Sequence, residues 1–140
     1  MIIISVGGGL GNQMFEYAFC CMVKHVYPDV EVKLDSMYTL GDEHNGYELE
    51  RVFGIEEEKC TLEELKQVSD IYPASEPHYK FRHFLDRIRN RIIGHRESCI
   101  VQRDFTVYED KFFHLDMSKS YYFFGVFANS HYFSEIEDRI

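Results

Sequence analysis

The chain has 140 residues, of which 45% are hydrophobic and 16% are aromatic. A chain this apolar offsets the entropy lost on ordering by burying side chains, which excludes a disordered protein, and its length fits one domain. The formal net charge of −9 argues against a general nucleic-acid binder, because neutralising phosphates requires an excess of Lys and Arg.

The first 35 residues predict a β-α-β unit. Residues 2–6 form a short, β-branched run typical of a buried parallel strand, and the glycine-rich turn over residues 7–12 follows it. A helix is predicted over residues 13–25 and a second strand over residues 30–34, so the fold class is α/β and Rossmann-like. Apolar residues at helical spacing are expected to form the buried face of that helix: Met14, Phe15, Tyr17, Ala18, Cys21, Met22 and Val26.

Five further elements are predicted in the rest of the chain. Thr61 and Glu64 have the spacing of a capping box, so a helix is expected to begin at Leu62 and to run to about Ser69. The remaining elements are a basic amphipathic helix over residues 81–93, short strands over residues 99–102 and 121–126, and a last helix over residues 130–140.

Residues 80–96 carry six Lys or Arg residues and one Asp in an otherwise acidic chain. The simpler interpretation is a solvated face that balances nearby acids. The alternative is peripheral contact with anionic lipid headgroups at the inner membrane face. The four cysteines have no CxxC spacing, which favours reduced thiols and a cytoplasmic location.

A glycine-rich turn between a strand and a helix brings the backbone close to a ligand, and the N–H groups at the helix start favour an anion. The dinucleotide-binding fingerprint reads G-x-G-x-x-G. Gly7 and Gly9 match its first two glycines, but Asn12 occupies the position of the third. Asp35, after the second strand, occupies the place of a ribose-binding acid. Two alternatives therefore remain at this point. The chain is a nucleotide-binding oxidoreductase, or the glycine turn only makes a tight connection between the first strand and the first helix.

The turn also carries a more specific pattern. Residues 8–18 resemble the N-terminal signature of glycosyltransferase family 11, the α-1,2-fucosyltransferases, which reads G-G-L-G-N-Q-M-F-Q-Y-A. The one departure is Glu16, which replaces a glutamine. Three later segments resemble the family in the same order: Asp35-Ser36-Met37-Tyr38, residues 47–55, and residues 122–127 with His131-Tyr132-Phe133.

The resemblance implies a two-domain transferase of the GT-B type, with residues 1–140 as its Rossmann-like, acceptor-side N-terminal domain. The C-terminal domain is absent from this chain, and the family's His-x-Arg-Arg-x-Asp motif is expected downstream of residue 140. The implied reaction is inverting, metal-independent transfer of fucose from GDP-fucose to a galactoside hydroxyl. The family's aromatic strand usually continues Gly-x-Trp-Gln, whereas this chain has Ala128 at the glutamine position and no Trp.

The resemblance also assigns candidate site residues. Substrate contacts are expected from the turn and helix start, namely Gly9, Leu10, Gly11, Asn12 and Gln13. Asp35 is the candidate catalytic base, with capping of its loop as the structural alternative. No metal site is expected, because the sequence contains no Asp-x-Asp cluster and no His pair at ligand spacing. A non-catalytic relative that only binds an acceptor glycan remains the main alternative function.

Overall fold

The computed structural model describes residues 1–37, 45–71, 85, 88–89 and 92–139. Its centre is a four-stranded sheet in the order β2-β1-β4-β3, in which every neighbouring pair is parallel. This confirms the predicted α/β class, and the sheet is compatible with a Rossmann-like fold. The strands are β1 (Ile2–Ser5), β2 (Val32–Asp35), β3 (Cys99–Val101) and β4 (Tyr121–Phe124).

Within residues 1–37 and 45–71, α-helices connect and cover the strands: α1 (Leu10–Val26), α2 (Leu49–Phe53) and α3 (Leu62–Val68). The predicted capping box of α3 is confirmed, since the Thr61 hydroxyl accepts from the N–H of Glu64 and the Glu64 carboxylate accepts from the N–H of Thr61. Helix α2 was not predicted, because its single turn is too short to show a helical period.

The predicted last helix is wrong in type, because the chain forms 3₁₀ turns over Ser130–Tyr132 and Ser134–Arg139. The cap is Asn129 and not Ser130, since the Asn129 side chain accepts from the N–H of His131. The buried Tyr132 hydroxyl is bonded to the backbone of residues 107 and 109, and these bonds anchor the tight turn. A further unpredicted 3₁₀ turn spans Asp110–Phe113.

Phe19 of α1 lies at the centre of the core on one face of the sheet. Its ring stacks on Phe127 at 3.9 Å between centroids and meets Phe123 and Tyr132 edge-on at 5.2 and 5.4 Å. Helix α3 covers the opposite face, where a second apolar cluster consists of Ile3, Cys60, Leu65, Val68, Cys99 and Tyr122. Both faces of the sheet are therefore covered, as a parallel sheet requires.

The predicted buried face of α1 is wrong over its first two turns. Met14 and Phe15 are 48% and 38% exposed, whereas Gln13 and Glu16 are buried. Farther along, Ala18 and Met22 of the predicted set are buried, but Tyr17, Cys21 and Val26 are only half-buried. The fully buried apolar residues there are Phe19, Cys20 and Val23, which the predicted face does not include. The helix also begins three residues earlier than predicted, because the second half of the glycine turn forms its first turn.

The basic helix predicted over residues 81–93 lies mostly outside the described residues. Of the residues in this range that the structure describes, residues 85, 88, 89 and 92 are assigned to a helix. Its membrane contact therefore stays a prediction. Tyr38, the last residue of the Asp-x-x-Tyr resemblance, also lies outside the described residues. In the part of the chain that the structure describes, no helix combines the length and the hydropathy needed to cross a bilayer.

Replacing the central ring tests the core on the α1 face. We expect Phe19→Ala to lower the free energy of unfolding by about 3–5 kcal/mol, because it removes a fully buried ring and leaves a cavity. Urea unfolding followed by circular dichroism measures this loss. The control Phe105→Ala removes a ring that is 53% exposed, and an equal loss in both variants would contradict the assignment.

Candidate functional site

A cleft opens at the carboxyl edge of the sheet, between the ends of β1 and β4. From β1 the chain crosses through α1 to β2 on one side, while β4 lies on the other side with β3 beyond it. Ligands of open α/β sheets bind in the crevice outside the carboxyl ends of the strands. The cleft has a volume of about 180 Å³ and is lined by Ser5, Val6, Gly7, Gly8, Asn12, Glu16, Phe124, Gly125 and Val126.

The glycine turn forms one wall of this cleft. Gly8 has a φ of +67°, and a Cβ there would lie 2.9 Å from the Asn12 side-chain nitrogen, so both backbone conformation and space favour glycine. Helix α1 starts directly after the turn, with no side-chain cap and no acidic residue in its first turn. The first N–H groups of a helix have no intrahelical acceptor, which leaves this end suited to an anion.

Glu16 is the acidic residue of the cleft. It is only 4% exposed, and one carboxyl oxygen accepts from the N–H of Gly7 at 2.9 Å. Burial raises the pKa of Glu16 to about 8, against the opposing effect of the Gly7 hydrogen bond. At neutral pH the side chain is therefore mainly a neutral acid, which has nearly the shape of the glutamine that it replaces in the family signature.

Gln13 faces away from the cleft and joins two backbone segments. Its amide nitrogen donates to the carbonyls of Gly8 and Gly46 at 2.9 and 2.8 Å, and its oxygen accepts from the N–H of Glu48 at 2.8 Å. The side chain is fully buried. Its hydrogen bonds fix the turn, which makes Gln13 a positioning residue and not a direct ligand in this arrangement.

Asp35 ends β2 as predicted but does not line the cleft. It is fully buried, and its two oxygens accept from the N–H of Met37 and the hydroxyl of Tyr122, both at 3.0 Å. Burial raises its pKa, and these two hydrogen bonds oppose the rise. An acceptor hydroxyl has no access to either oxygen, so the geometry does not support the predicted role of Asp35 as a base.

The far wall of the cleft is held by a buried glutamine that the sequence reasoning missed. The Gln102 side-chain oxygen accepts from the N–H of Phe127 at 2.9 Å, and its nitrogen donates to the Tyr132 hydroxyl at 3.3 Å. Phe127 has a φ of +55°, an unusual conformation for a bulky residue. A Cβ on Gly125 would lie 2.6 Å from the Cβ of Gln102, so only glycine fits there.

The structure brings some of the predicted substrate residues together and not others. Asn12 lines the cleft beside Gly8. Gly9 and Leu10 are half-buried and Gly11 is exposed at the start of α1, but none of the three lines the cleft. Glu16 was not predicted as a site residue, although its departure from the family signature was the available signal.

A second cluster was also missed, because its members lie far apart in sequence. Ligand atoms of Asp70, His95 and Cys99 lie within 4.8 Å of one another, an arrangement that could hold a metal ion. The buried Asp70 carboxylate is already bonded to Arg89 at 2.7 Å, to His95 at 2.8 Å and to the N–H of Arg96 at 3.1 Å. These bonds give it a structural role that joins the end of α3 to the residues before β3.

Comparisons with protein-family models, with curated proteins and with solved structures find no match to this chain. The features of the chain that point to a function are therefore the resemblance of residues 8–18 and the cleft that these residues help to form.

Glu16→Gln tests the neutral state of this side chain. The unfolded chain releases the Glu16 proton near pH 4.5 and the folded chain near pH 8, so the wild type loses stability as the pH rises between these values. The Gln variant lacks this loss. We compare the free energy of unfolding of Glu16→Gln with that of the wild type at each pH. The difference in favour of the variant is expected to be about 3–5 kcal/mol larger at pH 8.5 than at pH 4.5.

Urea unfolding of both proteins at the two pH values measures this difference. All other ionisations are common to the two proteins and cancel in the comparison. An advantage that is equal at pH 4.5 and pH 8.5 would mean that Glu16 ionises in the folded protein as it does in the unfolded one.

Proposed function

We propose that this chain is the acceptor-side domain of an inverting, metal-independent α-1,2-fucosyltransferase of the GT-B type, which transfers fucose from GDP-fucose to a galactoside hydroxyl. One observation carries the proposal. The segment that resembles the family signature is the same segment that forms the glycine turn and the Asn12 and Glu16 wall of the cleft at the carboxyl edge of the sheet.

The chemistry of this reaction fits a site rich in hydrogen-bond donors. The acceptor hydroxyl attacks C1 of fucose and its proton passes to a base outside this cleft or to solvent, the bond from C1 to the diphosphate oxygen breaks, and GDP leaves with the additional negative charge. Donors aimed at that charge stabilise the transition state. The Asn12 side-chain amide in the cleft is a donor of this kind, and the downstream arginine motif is expected to provide the cationic part.

The size of the cleft agrees with a site shared between two domains. A volume of about 180 Å³ accepts a sugar ring or a phosphate group but not a whole sugar nucleotide. The nucleoside would therefore bind mainly to the second domain. An acceptor-binding relative without turnover would use the same cleft, and the formation of fucosylated product separates the two proposals.

The geometry is less favourable to a nucleotide-binding oxidoreductase. Such proteins need an accessible acid after the second strand to bind the ribose hydroxyl. Asp35 holds that position, but it is buried and both of its oxygens are occupied. NAD, NADP and FAD are therefore expected to leave the melting temperature of the chain unchanged.

Asn12→Asp separates binding from stability. The new carboxylate lies in the first turn of α1, where a negative charge stabilises the helix by about 0.3–1 kcal/mol. The same charge repels the diphosphate, so we expect the affinity for GDP-fucose to fall about tenfold or more, equivalent to about 1.4 kcal/mol. Calorimetric titration with GDP-fucose measures the affinity, and thermal unfolding measures the stability.

Gln67→Glu is the matched control. It makes the same amide-to-acid change at an exposed position of α3, on the opposite face of the sheet. Equal affinities in the wild type and both variants would exclude the cleft as the binding site. Stabilisation by NAD or FAD, with none by GDP-fucose, would favour the oxidoreductase instead.

A further inference from the structure

The carboxyl group of Glu16 has an unusual setting within the cleft. In the ranges that the structure describes, the cleft contains no Lys, Arg or His side chain and no second acid. The groups that face Glu16 are the glycine turn and Ser5 from the β1 side, and residues 124–126 from the β4 side. None of these groups titrates or carries a charge, so the carboxyl lies in a neutral, largely buried environment.

This setting fixes what the carboxyl can do chemically. One oxygen accepts the N–H of Gly7, and the other has no hydrogen-bond partner among the described residues. With its pKa raised to about 8, the group keeps its proton at neutral pH. The proton belongs on the oxygen that does not accept from Gly7, because that oxygen has no donor of its own. The side chain is then an O–H donor that lines the cleft.

We propose that Glu16 binds an anionic oxygen of the sugar nucleotide as a neutral hydrogen-bond donor, and that loss of its proton releases this ligand. The inference rests on the proposed function, because it takes the donor substrate as the occupant of the cleft. It adds a binding residue, and a dependence on protonation, that the family signature does not contain.

An anionic oxygen suits this donor for two reasons. The Asn12 side-chain amide, which lines the same wall of the cleft, provides a further donor for such an oxygen. No side-chain cation is present in the described cleft to offset a carboxylate, so an ionised Glu16 would face the bound phosphate as a like charge in a low-dielectric site. The protonated Glu16 carboxyl therefore attracts the phosphate oxygen of the ligand, and the ionised carboxylate repels it.

Binding of GDP-fucose to the 140-residue chain at pH 7 and pH 9 tests the inference. If only protonated Glu16 binds, the dissociation constant of the wild type rises about tenfold between the two pH values. In Glu16→Gln the corresponding ratio stays near one, apart from any contribution from the guanine base. That contribution is common to both proteins, so the comparison of the two ratios isolates Glu16. Circular dichroism at each pH verifies that both proteins are folded.

Each outcome has a distinct meaning. A tenfold ratio in the wild type together with a ratio near one in Glu16→Gln supports the inference. Binding by both proteins with the same pH ratio overturns the inference and leaves the proposed function intact. No binding by either protein at either pH also overturns the inference, because the cleft of this chain then does not hold the phosphate, whereas the proposed function is tested separately by the formation of fucosylated product.

Discussion

The hydrogen bonds between the first turns of α1 and the glycine turn are the constraint on which the cleft depends. The turn has no side chains to anchor its first half, so its backbone must be held from outside. Glu16 accepts the N–H of Gly7, and Gln13 donates to the carbonyl of Gly8. Two buried polar groups on one helix thus fix the backbone of adjacent glycines, and a cleft wall results that is formed before any ligand binds.

The opposite wall of the cleft is also held by a buried side-chain amide that is hydrogen-bonded to the backbone. Gln102 bonds to the backbone of Phe127 and holds it at a positive φ, and the stacking of Phe127 on Phe19 stabilises this conformation. Buried amides need their hydrogen bonds satisfied, which makes their partners well defined in position. Both walls are therefore tied to the core around Phe19, and the rigidity of the cleft follows from the packing of the sheet and not from the loops alone.

Sequence reasoning succeeded where a local rule controls the structure. The apolar run of β1, the glycine turn and the capping box of α3 each act over a few residues, and the strands β2, β3 and β4 were found within two residues of their observed ends. It failed on the buried face of α1, because hydrophobic periodicity cannot foresee that hydrogen bonds across the turn place Gln13 and Glu16 inside. The Asp70 cluster was missed because only the tertiary fold brings its members together.

The measurement that tests the central claim most directly is an amide chemical-shift map of the isotope-labelled chain titrated with GDP-fucose at pH 7. Binding in the cleft between β1 and β4 predicts the largest shift changes at the amides of Gly7, Gly8, Asn12 and Gly125, which belong to its two walls. Shift changes confined to the opposite face of the sheet, around α3, would contradict the account, since they would place the ligand away from the cleft.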